Sequence, residues 1–186
     1  MTKVVVTGGA GFIGSALVQT LLDQGAGEVE VIDNLLTGYE HNLEEVRDRV
    51  RLHKLDIRDA AAIAPVIRGA DVVYHLAAIP SVPRSIADPV PSHEVNIDGT
   101  FNVFLVAAKG GVRRIVYAAS SSAYGDSETL PKTESMAPQP KSPYAVQKLA
   151  GEYYASVFHS CFGLETVALR FFNRSEERRV GKECRL

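Results

Sequence analysis

Cysteine is scarce, with only Cys161 and Cys184 in 186 residues. Two cysteines supply neither a disulfide framework nor a metal-ligand spacing, so no metal site is expected. Net charge is nearly absent as well: 20 Lys and Arg stand against 22 Asp and Glu. That balance excludes a basic nucleic-acid binder. No polybasic segment flanks an apolar one, which argues against a membrane-surface anchor. No apolar run approaches the roughly 18 residues of a membrane span. From Lys3 the chain passes through Val4-Val5-Val6 straight into glycines, too short an apolar core for a signal peptide. Neither an internal repeat nor a low-complexity linker interrupts residues 1–173. Hydrophobic residues make up 46% and charged residues 23%, an ordinary globular balance. A single reduced, cytoplasmic, soluble domain is the expectation.

What is present is an alternation of short β-rich runs with helical stretches. Strands are expected at Val4–Val6, Val29–Ile32, Arg51–Leu55, Asp71–Leu76, Ile115–Ala118 and Thr166–Leu169. Helices are expected at Phe12–Gln24, Ala60–Arg68, Asn96–Lys109 and Pro143–Phe162, from apolar residues at helical spacing. Apolar strands joined by crossover helices imply an α/β domain: a doubly wound parallel sheet covered on both faces.

Thr7-Gly8-Gly9-Ala10-Gly11-Phe12-Ile13-Gly14 follows the first strand and opens a helix. Gly8 permits a tight turn, Gly11 lets backbone approach a pyrophosphate, and Gly14 allows close helix–strand packing. The helix N-terminus offers free N–H groups to phosphates. About 20 residues on, Asp33 ends the second strand, where a carboxylate can accept bonds from ribose hydroxyls. A 2′-phosphate would be repelled there, so NAD is favoured over NADP. The rivals are an S-adenosylmethionine site and an empty turn. Asp56-Ile57 can meet an adenine edge, or Asp56 can cap a helix over Arg58–Arg68.

Tyr144 and Lys148 stand four apart, on one face of a helix that Pro143 opens. A free tyrosine with a pKa of about 10 is a poor base at neutral pH. A nearby ammonium and the cationic nicotinamide ring would lower that value. Ser120-Ser121-Ser122 follows the fifth strand, at the sheet end where ligands bind in open α/β folds. A hydroxyl there can bond a reacting oxygen and pass a proton towards Tyr144. In the plainer reading these hydroxyls satisfy a turn.

Together these residues resemble the extended short-chain dehydrogenase/reductase family, of Rossmann fold, and within it the nucleotide-sugar 4-epimerases. Further carriers of the resemblance are His75-Leu76-Ala77-Ala78, Asn96 and Arg170-Phe171-Phe172-Asn173. The resemblance implies a cofactor set. Gly8, Gly11, Phe12, Ile13 and Gly14 would lie on the pyrophosphate, Asp33 and Asn34 on the adenosine ribose, and Asp56 and Ile57 on adenine. Leu76, Ala77 and Ala78 would line the cofactor, Tyr144 and Lys148 would also meet it, with Lys148 able to hold a cofactor ribose, Asn96 would order the site, and Phe172 would sit by the nicotinamide. Counted back four residues from Tyr124, Ser120 would be the catalytic serine, Tyr144 the base and Lys148 its electrostatic partner. The implied substrate contacts are Ser81, Arg84, Ser120, Ser122, Tyr144 and Asn173, on a UDP-sugar.

Residues 81–89 resemble the loop of bacterial epimerases acting on UDP-N-acetylglucosamine and UDP-glucose, and also suit a uronate-type epimerase. Dehydratases of the family place Thr-Asp-Glu where this chain has Ser120-Ser121-Ser122, which disfavours elimination chemistry. A UDP-glucuronate decarboxylase, a 4-reductase or a non-catalytic NAD-binding module remain as alternatives. Family members often dimerise through two helices, here Asn96–Lys109 and Tyr144–Phe162, implying a homodimer. Plainer readings accompany several residues: His75 as a core histidine, Asn96 as a helix cap, Phe171 and Phe172 as core, and Arg84 as a solvated loop charge.

Residues 174–186 break the pattern, with eight of thirteen residues charged. Composition reads them as a solvated tail. The run Arg174–Arg185 also resembles the conceptual translation of a sequencing adapter. On that reading residues 1–173 are the NAD-binding part of a longer enzyme, truncated before its substrate domain, and the fragment itself is weak or inactive.

Overall fold

A computed structural model describes residues 2–172. The tail at 174–186 and Asn173 lie outside the described residues. Six strands form one parallel sheet in the order β3-β2-β1-β4-β5-β6. They are β1 (Lys3–Thr7), β2 (Glu28–Ile32), β3 (Val50–His53), β4 (Val72–His75), β5 (Arg114–Ser120) and β6 (Glu165–Phe171). This is the Rossmann arrangement, as the alternation of elements predicts.

Valine runs form the central strands because both sheet faces are covered. Val4 and Val6 of β1 enter one core with Val29, Val31, Val18 and Leu22. Val5, between them, enters the other with Val73, Ile115, Ile63 and Phe104. Helices α1 (Phe12–Asp23) and α2 (Ala60–Ile67) follow β1 and β3, and α5 (Thr100–Lys109) and α6 (Pro143–Phe162) follow β4 and β5. The chain runs outwards from β1 to β2 and β3, then returns to lay β4 on the other side of β1. Thr7 pairs in register with both Ile32 and His75. The strand ends are thus level, and the reversal of direction opens a crevice above them.

Several boundaries differ from expectation. The third strand stops at His53. Helix α2 is capped by Asp59, which accepts from the Ala62 N–H at 3.0 Å, and not by Asp56. A 3-10 segment (Glu40–Arg49) and two short helices, α3 (Val82–Ala87) and α4 (Pro89–His93), occupy stretches where no helix or strand is expected. Each is too short to show a period: the 3-10 segment buries only Leu43 and Val46. Ser81 and Asp88 cap α3 and α4. The helix expected from Asn96 opens instead with a π turn (Glu94–Gly99) continuous with α4, so Asn96 is not a cap. Among the described residues, no helix is long and apolar enough to cross a membrane.

Candidate active site

The turn after β1 is built for close backbone contact. Gly8 has φ +74°, and a Cβ there would lie 2.6 Å from the Ala77 nitrogen. A Cβ on Gly14 would lie 2.1 Å from the Gly8 carbonyl oxygen, so Gly14 packs the helix onto the turn rather than onto a strand. On Gly11 a Cβ would touch only the Gly8 oxygen, at 3.2 Å, and otherwise stand in open space. Helix α1 starts without a side-chain cap, which leaves first-turn N–H groups for a ligand. Phe12 is 91% exposed and Ile13 51%, both at the mouth of the cleft.

Asp33 is buried and already engaged. Its Oδ2 accepts from the Ala10 N–H at 2.9 Å and its Oδ1 from the Leu35 N–H at 2.8 Å. The carboxylate therefore ties the glycine turn to the end of β2, and Asp33 lines the cleft. Asn34 donates to Asp56 at 2.9 Å. Asp56 does not line the cleft. Its carboxylate is held by the Arg58 side chain at 2.9 and 3.0 Å. Hydrogen bonds from Arg58, opposed by partial burial, bring it down to about 2. Ile57 does line the cleft.

At the opposite end, Ser142 caps α6 through the Ala145 N–H at 3.1 Å, and Pro143 fills a first-turn position. This sets Tyr144 and Lys148 at the end of β5, beside Ser120. Lys148 is buried. Its Nζ donates to the Ala118 carbonyl at 2.8 Å and lies 5.0 Å from the centre of the Tyr117 ring. Burial brings it down from 10.5 to about 8. Tyr117 donates to the Lys148 carbonyl at 3.3 Å, and its ring fills the space that a Cβ on Gly151 would need. Burial raises Tyr144 above the ordinary 10, while a hydrogen bond with Ser120 pulls it down. The Lys148 ammonium and the nicotinamide charge, expected together to lower Tyr144, therefore act against a desolvation that raises it.

Several other expected residues stand apart from the cleft. The side chain of Ser122 is turned onto Ser120, 2.8 Å away. Ser81, at φ +104°, accepts from the Arg84 N–H at 3.3 Å. Arg84 lines a neighbouring recess of about 360 Å³ with Leu36, Thr37 and Ser92. Asn96 is buried behind the cleft wall. It exchanges hydrogen bonds with the Ile79 backbone at 2.8 and 3.0 Å and donates to Gln147 at 2.9 Å. Its action on the site passes through the backbone of Ile79, which lines the cleft. His75 is fully buried between the Thr7 and Thr100 hydroxyls at 2.7 and 3.0 Å. Burial and the Lys148 charge bring it down to about 3. Phe171 and Phe172 are 40% and 54% exposed and line the cleft rather than the core.

Gln147, Ser85 and Tyr117 went unrecognised in the sequence. Gln147 donates to Ser92 at 3.0 Å, and the Ser85 hydroxyl accepts from the Tyr144 N–H at 3.1 Å. These bonds fasten the segment 79–96 to α6. Gln147 lies three residues from Tyr144, the one signal that pointed to it. Among the described residues, no three His, Cys, Asp or Glu side chains converge as a metal site would need.

The glycine turn, the end of β2, Leu76–Ala78 and Ser120, Tyr144 and Lys148 thus share one cleft of about 520 Å³ above the sheet. Its position and the fold define a dinucleotide-binding domain. The chain belongs to the NAD dependent epimerase/dehydratase family, whose profile matches residues 4–182. A UDP-glucose 4-epimerase of Mycolicibacterium smegmatis is 40% identical over 88% of this chain and 53% of its own length. The solved UDP-N-acetylglucosamine 4-epimerase from Methanobrevibacter ruminantium M1 is 39% identical, with a TM-score of 0.87 over 92% of this chain and 55% of that one. DesIV, a dTDP-glucose 4,6-dehydratase from Streptomyces venezuelae solved with NAD bound, is 38% identical, with a TM-score of 0.87 over 91% and 55%. The chain therefore spans about half the length of the relatives it matches. The family is NAD-dependent, and the residues present fit that cofactor: the glycine cradle is open, the helix end uncapped and the Asp33 carboxylate close by.

Proposed function

We propose that this chain supplies the NAD-binding and proton-transferring half of a nucleotide-sugar 4-epimerase acting on a UDP-sugar of the glucose or N-acetylglucosamine type. The observation that carries the reading is the meeting of Ser120, Tyr144 and Lys148 in the cleft that the glycine turn opens. Bound NAD⁺ supplies a hydride acceptor and a fixed positive charge. Beside that charge, Tyr144 ionises more readily and takes the proton of the sugar 4-hydroxyl, directly or through Ser120. Lys148 holds the cofactor ribose and adds its charge to the phenol's surroundings. The resulting 4-keto sugar turns within the site, and Tyr144 returns the proton after the opposite face is reduced. Gly8, Gly11, Phe12, Ile13 and Gly14 hold the pyrophosphate, with Asp33 and Asn34 on the ribose.

Fold alone does not separate epimerase from dehydratase, since both kinds of relative superpose equally well. Elimination needs side chains that exchange protons near neutral pH, and Ser121 and Ser122 are hydroxyls. Val146, Tyr153 and Val157 expose an apolar stripe along α6, which supports a homodimer in the complete protein.

The test is Tyr144→Phe, with turnover followed in a chimera carrying the second half of the M. smegmatis relative and NAD⁺ affinity followed in this chain as well. UDP-sugar 4-epimers are separated by anion-exchange chromatography, and NAD⁺ affinity is measured by calorimetry. Turnover should fall by about 100- to 10,000-fold with NAD⁺ affinity unchanged. Undiminished turnover in the variant refutes the assignment.

A further inference from the structure

We propose that Tyr117 is a positioning residue for Lys148, its ring face holding the ammonium at the cleft where no carboxylate does. The inference rests on the reading of Lys148 as the charge beside Tyr144.

Lys148 is only 4% exposed. The lysine salt bridges among the described residues are those of Lys3, Lys54 and Lys141, and none reaches Lys148. An ammonium has three donors, and here Nζ finds one protein acceptor, the Ala118 carbonyl at 2.8 Å. A charge removed from water needs more than that. The negative face of an aromatic ring can supply it, and Nζ stands over the Tyr117 ring, 5.0 Å from its centre. Adjacent residues of β5 thus grip the ammonium, one by its ring and one by its carbonyl.

The ring is itself held from several sides. His75 and Phe104 pack on it with ring centres 5.6 and 6.1 Å away. Gly151, one turn beyond Lys148 on α6, leaves room for the phenol: a Cβ there would lie 2.3 Å from the Tyr117 Oη. The Tyr117 hydroxyl donates to the Lys148 carbonyl at 3.3 Å. One strand residue therefore meets both the backbone and the tip of the lysine. Burial lifts the Tyr117 phenol above its ordinary range, so it stays neutral. The ionisable groups packed around the pair are Tyr144 and Glu152 of α6 and His75 of β4. Glu152 is engaged by Arg170 of β6 at 2.7 Å, and buried His75 is uncharged near neutral pH. The ring and the Ala118 carbonyl are then what offset the cost of burying the ammonium. Without the ring, Lys148 gives up its proton more readily and its charge no longer supports Tyr144.

The experiment follows the ionisation of Lys148 by NMR in this chain, grown with lysine labelled at Cε, using Lys148→Met to assign the signal. Tyr117→Leu, which removes the ring face, should lower the midpoint by about one pH unit. Tyr117→Phe, which keeps the face, should hold the parent value. Phe104→Leu loosens the neighbouring core but leaves the Tyr117 ring, so it should hold that value too. If Tyr117→Leu does not fold, trifluorinated phenylalanine placed at position 117 carries the test. It keeps the ring's shape, removes most of the negative charge of its face, and should lower the midpoint relative to Tyr117→Phe. A midpoint unmoved or raised by loss of the face, or lowered equally in Tyr117→Phe or Phe104→Leu, overturns the proposal and leaves Tyr117 as core filling. Neither NAD⁺ nor turnover enters the measurement, so its failure is distinct from failure of the functional reading, which Tyr144→Phe decides.

Discussion

Lys148 gives the sharpest quantitative consequence. Its ammonium is buried, with one carbonyl acceptor and the face of Tyr117 as company. Folded, it loses its proton near pH 8; unfolded, near 10.5. Below pH 8 both states carry the proton, and the folded chain bears the full cost of burying the charge. Between pH 8 and 10.5 the unfolded chain binds more protons than the folded one, so stability rises with pH. At about 1.4 kcal/mol for each pH unit, the gain across the window is about 3 kcal/mol. Lys148→Met removes the titrating group while keeping most of the side-chain volume. Urea unfolding of both chains at several pH values from 7 to 10.5 measures the effect. Every other titrating group is common to the two chains, so the difference between their stabilities isolates Lys148. That difference should move by about 3 kcal/mol in favour of the parent as pH rises. Parallel curves would refute the buried-ammonium argument. A parent that loses stability relative to the variant over this window would reverse its sign.

Gly14→Ala puts a methyl 2.1 Å from the Gly8 oxygen and 2.7 Å from Gly9 Cα, both backbone atoms that cannot swing aside. A net loss of about 1–3 kcal/mol in urea unfolding is expected, despite alanine's better helix propensity, together with weaker NAD⁺ binding by calorimetry. His75 titrates near pH 3 when folded against 6.5 when unfolded. It should therefore withdraw about 2–3 kcal/mol of stability as pH falls from 6.5 to 4.5. His75→Gln should flatten that slope, and an unaltered acid limb would contradict the neutral, bridging role assigned to His75.

Local rules were readable along the chain. Val4-Val5-Val6, the glycines from Gly8 to Gly14 and the four-residue step from Tyr144 to Lys148 each act through neighbours in sequence. Backbone sterics and side-chain period therefore dictated the strands, the phosphate turn, four of the helices and the shared face of Tyr144 and Lys148. From these the parallel sheet and its family followed.

Tertiary structure decided what depends on partners far away in sequence. Asp56 read as an adenine contact or a cap; the cap is Asp59, and Arg58 and Asn34 bind the Asp56 carboxylate. Asn96 and Gln147 meet across 51 residues, and Tyr144 meets Ser85 across 59. No spacing rule links such pairs. The protonation of Tyr144, Lys148 and His75 was likewise beyond the sequence. A pKa is set by the free energy of holding charge in a particular place, and only the folded sheet shows which groups are removed from water and which charges and dipoles share that space.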